Sequence, residues 1–477
     1  MQLIPRIRHE RYLQAMVLGL ICISFLNMLY CTMAYEFGWG PKTFLVGPED
    51  RFADVIKLSL SFRSVTGGVD KTEKFRSWRP IYQDYYEHPD YGGAQSLGAG
   101  ELTHFHHPPL SALIFMVAGM LIVRIGSPQV MLCLFFLIYV LEVWSMMWIG
   151  TPYATRTPAL KLTIWFLCLA SYPALVMFGR ANYVNAGLTT VPIIAFLLAV
   201  FVRKDATLAS LTALAIAVNI HPNAIIFLFG LPIAFGLPKA IKAGLQFTAI
   251  ALSIFGVSYF AAHKLYPDYS IATFRKGVAI YEKVYIENGG GIRMGSSLYG
   301  LIRALNRGLH LGIPFSFEMR IFYLVALVLT VLAGTAFWRV WNRETRPGSG
   351  GLEKRRTSEC AQESNHWPLS LAPFFLVSFY CLLSPIFADY HLLVFLAPLI
   401  LVYFDSVERN GRLLTVVAVA SLLMISPKNY PLQNASVQVI LNPAILVSAV
   451  LGLTIALFNE VTPRTRTSAQ LHAVEGR

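Results

Sequence analysis

The sequence predicts an all-α, polytopic membrane protein. Of its 477 residues, 55% are hydrophobic and 14% charged, where soluble domains carry about 25% charged residues. Mean hydropathy is +0.55. The apolar residues are also gathered into continuous runs, many approaching the ~20 residues that a helix needs to cross a bilayer. Continuous runs exclude an outer-membrane barrel, whose strands alternate. Together these observations also exclude a cytosolic enzyme, a disordered chain and a small disulfide scaffold.

In chain order the runs read as spans are 12–34, 128–150, 159–178, 183–202, 208–221, 222–237, 243–263, 319–341, 368–384, 391–404, 412–425 and 438–458. The first follows Arg6, Arg8 and Arg11, exceeds a signal-peptide core and shows no clear small-residue cleavage site, so it reads as a retained anchor. Residues 208–221 and 222–237 are each too short to cross unaided, and Pro222 splits them. That predicts half-helices or a bent hairpin, tolerated only against a protein-lined cavity. Cys22, Cys31, Cys133, Cys168 and Cys381 lie in or at the ends of apolar runs and Cys360 in a charged loop. They read as packing thiols, not a framework of bridges.

Charge placement sets the expected topology. The net charge is +13, carried largely by short breaks between runs, where Lys and Arg orient the chain rather than bind nucleic acid. Basic breaks at 203–205, 238–242, 339–366 and 409–412, and the basic tail, share one side if the amino terminus is cytoplasmic. Residues 108–123 are apolar but only 16 long. Counting them as a span would export Lys239, the 339–366 break and the tail, so they read as an interfacial or re-entrant helix. The expectation is one transmembrane domain, 1–458, with both termini cytoplasmic and a basic cytoplasmic tail at 459–477. Its large extracytoplasmic loops are 35–127, holding the 108–123 helix, and 264–318; residues 343–366 form a cytoplasmic linker.

Polar residues capable of chemistry fall on the extracytoplasmic side of this arrangement. Asp54, in DRFADVIKLSLSF, follows the first span on a short amphipathic pattern. It reads either as a solvated carboxylate or as one held above an apolar cavity, suited to take a proton from a hydroxyl. HFHHPPL supplies His104, His106 and His107 before a rigid helix start at Pro108-Pro109. That spacing lacks the pattern of a zinc site. Arg180, in FGRANYVN, has a guanidinium that holds phosphate as a bidentate pair or snorkels as an interfacial anchor. His221 and Asn223 flank Pro222 at the split, where they line a cavity or pack. The 275–303 stretch places Arg275, Lys276, Lys283, Arg293 and Arg303 around NGGG and the Ser296-Ser297 pair. Glycine backbone with Arg is a phosphate cradle, or simply a flexible turn. Asp389 and His391, in SPIFADYH, sit between two spans and read as headgroup ligands, with helix capping as the alternative for Asp389. No Walker motif, GxGxxG or CxxC is present.

Taken in order, these motifs resemble the C-type glycosyltransferases, most closely family 87, which includes polyprenol-phosphate-mannose-dependent α-mannosyltransferases. The likeness spans residues 12–405. It comprises an acidic residue after the first span (Asp54), the FHHPPLSALIF helix, the GRAN turn (Gly179, Arg180, Asn182), the split helix NIHPN, the GSSLYGLIR patch and SPIFADYH. The chain departs from the family at Arg180, where Gln is usual, at His221, where Lys is common, at Ser296, where Asn-Gln is typical, and at His107, where Tyr precedes the prolines. The resemblance implies a C-type fold and transfer of a mannose-like hexose from a polyprenyl-phosphate donor to a lipid or glycan acceptor at the extracytoplasmic face of the plasma (inner) membrane. It implies an inverting displacement with Asp54 as the single base, because polyprenyl phosphate leaves without protonation. Substrate contacts are then expected from His106, His107, Arg180, Asn182, His221, Arg293, Ser297, Arg303, Asp389 and His391. No cofactor is expected; a divalent cation has no ligand cluster to support it. Two rivals are a surface-polysaccharide polymerase or ligase centred on the late loop, and a lipid-linked-sugar flippase. The second wants charges along a transmembrane path, where the spans are nearly charge-free apart from Glu142.

Overall fold

Within the described residues, the long apolar runs are helical. The computed structural model describes Leu18, Cys22, Cys168 and residues 107–125, 128–150, 171–180, 183–287, 295–345, 370–405, 411–426 and 437–461. No strand occurs among them. In order the helices are α1 (Pro109–Ile125), α2 (Pro128–Gly150), α3 (Tyr172–Arg180), α4 (Tyr183–Leu198), α5 (Leu208–Ile220), α6 (Gly230–Phe235) and α7 (Leu237–Leu265). They continue as α8 (Ile271–Tyr281), α9 (Leu298–Gly308), α10 (Phe315–Thr345), α11 (Leu371–Leu383), α12 (Leu396–Asp405), α13 (Gly411–Ile425) and α14 (Val437–Val461). The runs expected at 128–150, 183–202, 243–263, 319–341, 412–425 and 438–458 are all helical. Most of the 12–34 run, residues 35–106, and most of the 343–366 linker and 459–477 tail lie outside the described residues.

Among the described residues, three helices are long and apolar enough to cross a membrane: Leu237–Leu265, Phe315–Arg339 and Val437–Asn459, with mean hydropathies of 1.6, 2.2 and 2.2. Their faces are not covered by protein. Val257 and Phe260 on α7 are 72% and 77% exposed, and Leu324 and Leu327 on α10 are 62% and 61% exposed. Contiguous exposed leucine and phenylalanine are a liability in water and the normal condition against lipid. The chain is an α-helical membrane protein.

Proline divides the shorter segments. His221 takes an extended conformation (φ −133°, ψ 93°) because it precedes Pro222, and α5 stops there. Pro222–Phe229 continues as a 3-10 helix before α6. The segment expected as a span at 391–404 opens likewise with a 3-10 run, Asp389–Phe395, before α12. Pro398 accounts for this: it lacks the N–H that an α-helix would donate to the Val394 carbonyl. Side chains fix the starts of other helices. Thr207 caps α5, Ser297 caps α9, and Ser270 with Thr273 forms a reciprocal capping box on α8.

The core centres on α4, which packs between α2 and α5 and also touches the Asp389–Phe395 run. Phe196, Phe227, Phe374 and Phe395 are fully buried in it. On one side α5 and α1 pack on α7; on the other α10 packs on α14 and α14 on α13. The ends that meet are informative. Arg203 donates to the Ile149 carbonyl at 2.8 Å, closing the carboxyl ends of α4 and α2 together. Arg339 lies 5.0 Å over the Phe458 ring, so α10 and α14 end side by side.

Candidate functional site

Three sequence segments converge where α5 and α11 end and α9 begins. His221, freed from the helix by Pro222, accepts or donates at Nδ1 across 3.2 Å to the Tyr380 hydroxyl on α11. Its ring meets that of His391 edge-on with centroids 5.0 Å apart. His391 is 5% exposed, in the 3-10 run that follows α11. Phe387 and Tyr390 pack on His391 at 5.5 Å and 4.7 Å, and Tyr380 packs on Phe387 and Phe227. An aromatic wall therefore holds the two imidazoles. His391 Nδ1 is buried and has no hydrogen-bond partner.

The Ser-Pro turn is tied to both other segments. Ser384 closes α11 through a 2.7 Å bond from its hydroxyl to the Tyr380 carbonyl and accepts from Asn223 Nδ2 at 3.3 Å. Ser297 caps α9 by accepting from the Gly300 N–H at 3.1 Å, and donates to the Pro385 carbonyl at 2.8 Å. Ser296 donates its N–H to the Phe387 carbonyl at 2.8 Å, and its own carbonyl accepts from the Cys381 thiol. Its hydroxyl accepts from Asn442 Nδ2 on α14 at 2.9 Å. NIHPN, GSSLYG and SPIFADYH, remote in sequence, thus form one hydrogen-bonded unit.

Compared with known proteins, the chain matches no family model, no curated protein and no solved structure.

The remaining expected residues divide into four groups. Arg303 lies beside the unit, with its charge already matched. It donates to Glu318 at 2.6 Å and to the Tyr299 hydroxyl at 3.0 Å, and also reaches the Glu287 carbonyl. Asn306 holds the second Glu318 oxygen. Arg303 Nε alone lacks a partner. The arrangement clamps α9 and α10 to the 282–287 segment. Burial pushes the Tyr299 hydroxyl up to about 12, against the opposing pull of Arg303. Arg307 is held below the usual arginine value, first by burial and then by the neighbouring Arg303 charge.

His107 belongs to another cluster. Its carbonyl accepts from the Tyr269 hydroxyl at 2.8 Å and its ring packs on Phe115 at 5.2 Å, seating α1 on the end of α7. Burial, reinforced by Tyr259, raises Tyr269 far above an ordinary phenol. Arg180 ends α3, which packs along the Asp389–Phe395 run begun by Asp389. Their backbones thus belong to elements in contact with the histidine unit. Asp54, His106, Asn182 and Arg293 lie outside the described residues.

No group of three His, Cys, Asp or Glu suited to a metal occurs among the described residues. The structure adds Tyr380, Ser384 and Asn442, which spacing alone did not single out. Asn442 had a readable signal, an amide inside an apolar span. Ser384 stood inside the SPIFADYH motif, and Tyr380 had no signal, because its importance lies only in what folds against it.

Proposed function

We propose that this protein is an integral-membrane, C-type glycosyltransferase that moves a hexose, mannose-like, from a polyprenyl-phosphate donor to a lipid or glycan hydroxyl. The site faces the extracytoplasmic side of a chain of about twelve spans with both termini cytoplasmic. The observation that carries the reading is the junction of His221, Ser297 and His391. The resemblance groups these three motifs functionally, and they meet in space around a buried, unpartnered imidazole nitrogen. The pairing of segment ends supports the topology. Positions 149 and 203, both expected inside, lie together, as do 107 and 269, both expected outside.

In this reading the Asp54 carboxylate takes the proton of the acceptor hydroxyl. The freed oxygen attacks the anomeric carbon, and the bond to polyprenyl phosphate breaks with inversion. The imidazoles of His221 and His391 are placed to orient the donor headgroup, with His391 Nδ1 as the open contact. Arg180 and Arg293 are assigned to balance phosphate charge, whereas Arg303 is held by Glu318 and acts on the position of α9. That pairing also weakens the rival ligase reading, which relies on late-loop arginines.

The test is to incubate purified protein in nanodiscs with a panel of polyprenyl-phosphate hexoses and lipid acceptors, and follow donor consumption. Transfer from at least one donor, abolished by Asp54→Asn in a folded protein, is expected. No consumption across the panel overturns the reading, and retained transfer in Asp54→Asn removes Asp54 from the role.

A further inference from the structure

The last helix brings two carboxamides to the site whose hydrogen-bonding capacity is mostly unused. Gln438 and Asn442 stand about one turn apart on α14 and are 1% and 0% exposed. Asn442 gives Nδ2 to Ser296, but its Oδ1 has no partner, and neither Oε1 nor Nε2 of Gln438 has one. Pro443 follows at once inside the helix and cannot donate to the Val439 carbonyl in the same turn. Buried polar groups are nearly always satisfied. Amides inside membrane helices usually bond to a neighbouring helix. Here three of the four side-chain polar atoms of two neighbouring amides bond to nothing, on a helix dominated by Val, Ile, Leu and Ala.

The unmet atoms define what fits. Two are carbonyl oxygens and one is an amide nitrogen, and none is charged. A phosphate only accepts, and would set its oxygens against Oε1 and Oδ1. An ammonium only donates, and would leave Nε2 unmet. A hydroxyl does both, and a sugar ring presents several in sequence. Location agrees with this chemistry. The Asn442 side chain is held by the Ser296 hydroxyl, and Ser296 donates its N–H to the carbonyl of Phe387, whose ring packs on His391.

We propose that Gln438 and Asn442 form a sugar-binding ladder, gripping the hydroxyls of the transferred hexose from α14 beside the histidine pair. The choice of a neutral polyol rests on the amides alone; its identity as the transferred sugar rests on the transferase reading. Asn442 sits deeper along the helix and is oriented by Ser296. Gln438, in the first described turn, has both amide atoms available and carries the larger share of recognition.

The experiment uses the full-length protein in nanodiscs and two probes kept below their micelle thresholds: octyl mannoside, a hexose without phosphate, and octyl phosphate, a phosphate without hexose. Binding is measured by calorimetry for wild type, Gln438→Met and Asn442→Leu, with thermal unfolding of each. Saturable octyl mannoside binding to wild type is expected, weakened about tenfold or more in each variant, with octyl phosphate binding unchanged. Gln438→Met should melt no lower than wild type, since an apolar side chain replaces an amide with no bonds made; Asn442→Leu also breaks the bond to Ser296 and should melt lower. The proposal is overturned if wild type does not bind octyl mannoside, if both variants bind it as wild type does, or if Gln438→Met loses stability. Because binding is read without transfer, an inactive protein that binds octyl mannoside through these residues defeats only the transferase reading. An active enzyme whose variants bind octyl mannoside unchanged defeats only the ladder.

Discussion

The Tyr380 hydroxyl and Nδ1 of His221, 159 positions apart in sequence, lie 3.2 Å from each other. That bond joins the break after α5 to the end of α11. It also sets the angle at which His221 presents its ring to His391.

Removing the inner imidazole should cost far more than removing the bond that steadies the outer one. His391→Ala is expected to lower transfer by about 10²–10³, the usual effect of deleting one group that stabilises developing charge. Tyr380→Phe keeps its packing on Phe227 and Phe387, so a loss of about tenfold or less is expected, in step with one hydrogen bond. Steady-state kinetics on both variants checks this ranking, and equal losses contradict it.

Ser297 serves two ends of the chain at once. Its hydroxyl caps α9 and donates to the Pro385 carbonyl. Ser297→Ala should destabilise by about 1–2 kcal/mol and loosen the Ser384–His391 turn, so the melting temperature and donor affinity should fall together. Ser297→Thr should restore most of the melting temperature.

The Arg303–Glu318 pair, with side chains 10% and 3% exposed, should behave as a buried ion pair. Glu318→Ala strands the guanidinium and is expected to cost about 3–5 kcal/mol. Arg303→Met combined with Glu318→Leu removes both charges and should unfold at a temperature closer to wild type. A double variant less stable than Glu318→Ala would count against the structural role of Arg303.

Tyr299 predicts an alkaline limit. Burial raises its pKa in the folded protein from the ordinary phenol value of 10.0 to about 12. The neutral phenol therefore favours folding fully below pH 10, and that contribution is lost as pH climbs through the folded value. Between pH 10 and 12 the melting temperature of Tyr299→Phe should fall less steeply than that of wild type. Parallel curves would show that Tyr299 is not the group involved.

Much of this architecture was legible in the sequence because lipid-facing helices must be continuous and apolar: α7, α10 and α14 stand where hydropathy put them. The break at His221 was legible because Pro222 permits little else. The junction of the three motifs was not, since nothing in the spacing of Ser296, Pro385 and Asn442 reports that they touch. Arg303 read as a phosphate ligand because its partner, Glu318, lies across a turn on a different helix. Gln438 and Asn442 escaped a search for charges, although a neutral amide in an apolar span is nearly as costly to leave unmet.

The brevity of α5 sets the depth of the junction. Its 13 residues rise only about 20 Å, well short of the ~30 Å hydrocarbon layer of an ordinary bilayer. Most of the helix is buried, so the missing length is made up by protein rather than lipid. A headgroup bound at His221 would therefore sit beneath the bilayer surface, and its way in must run between helices.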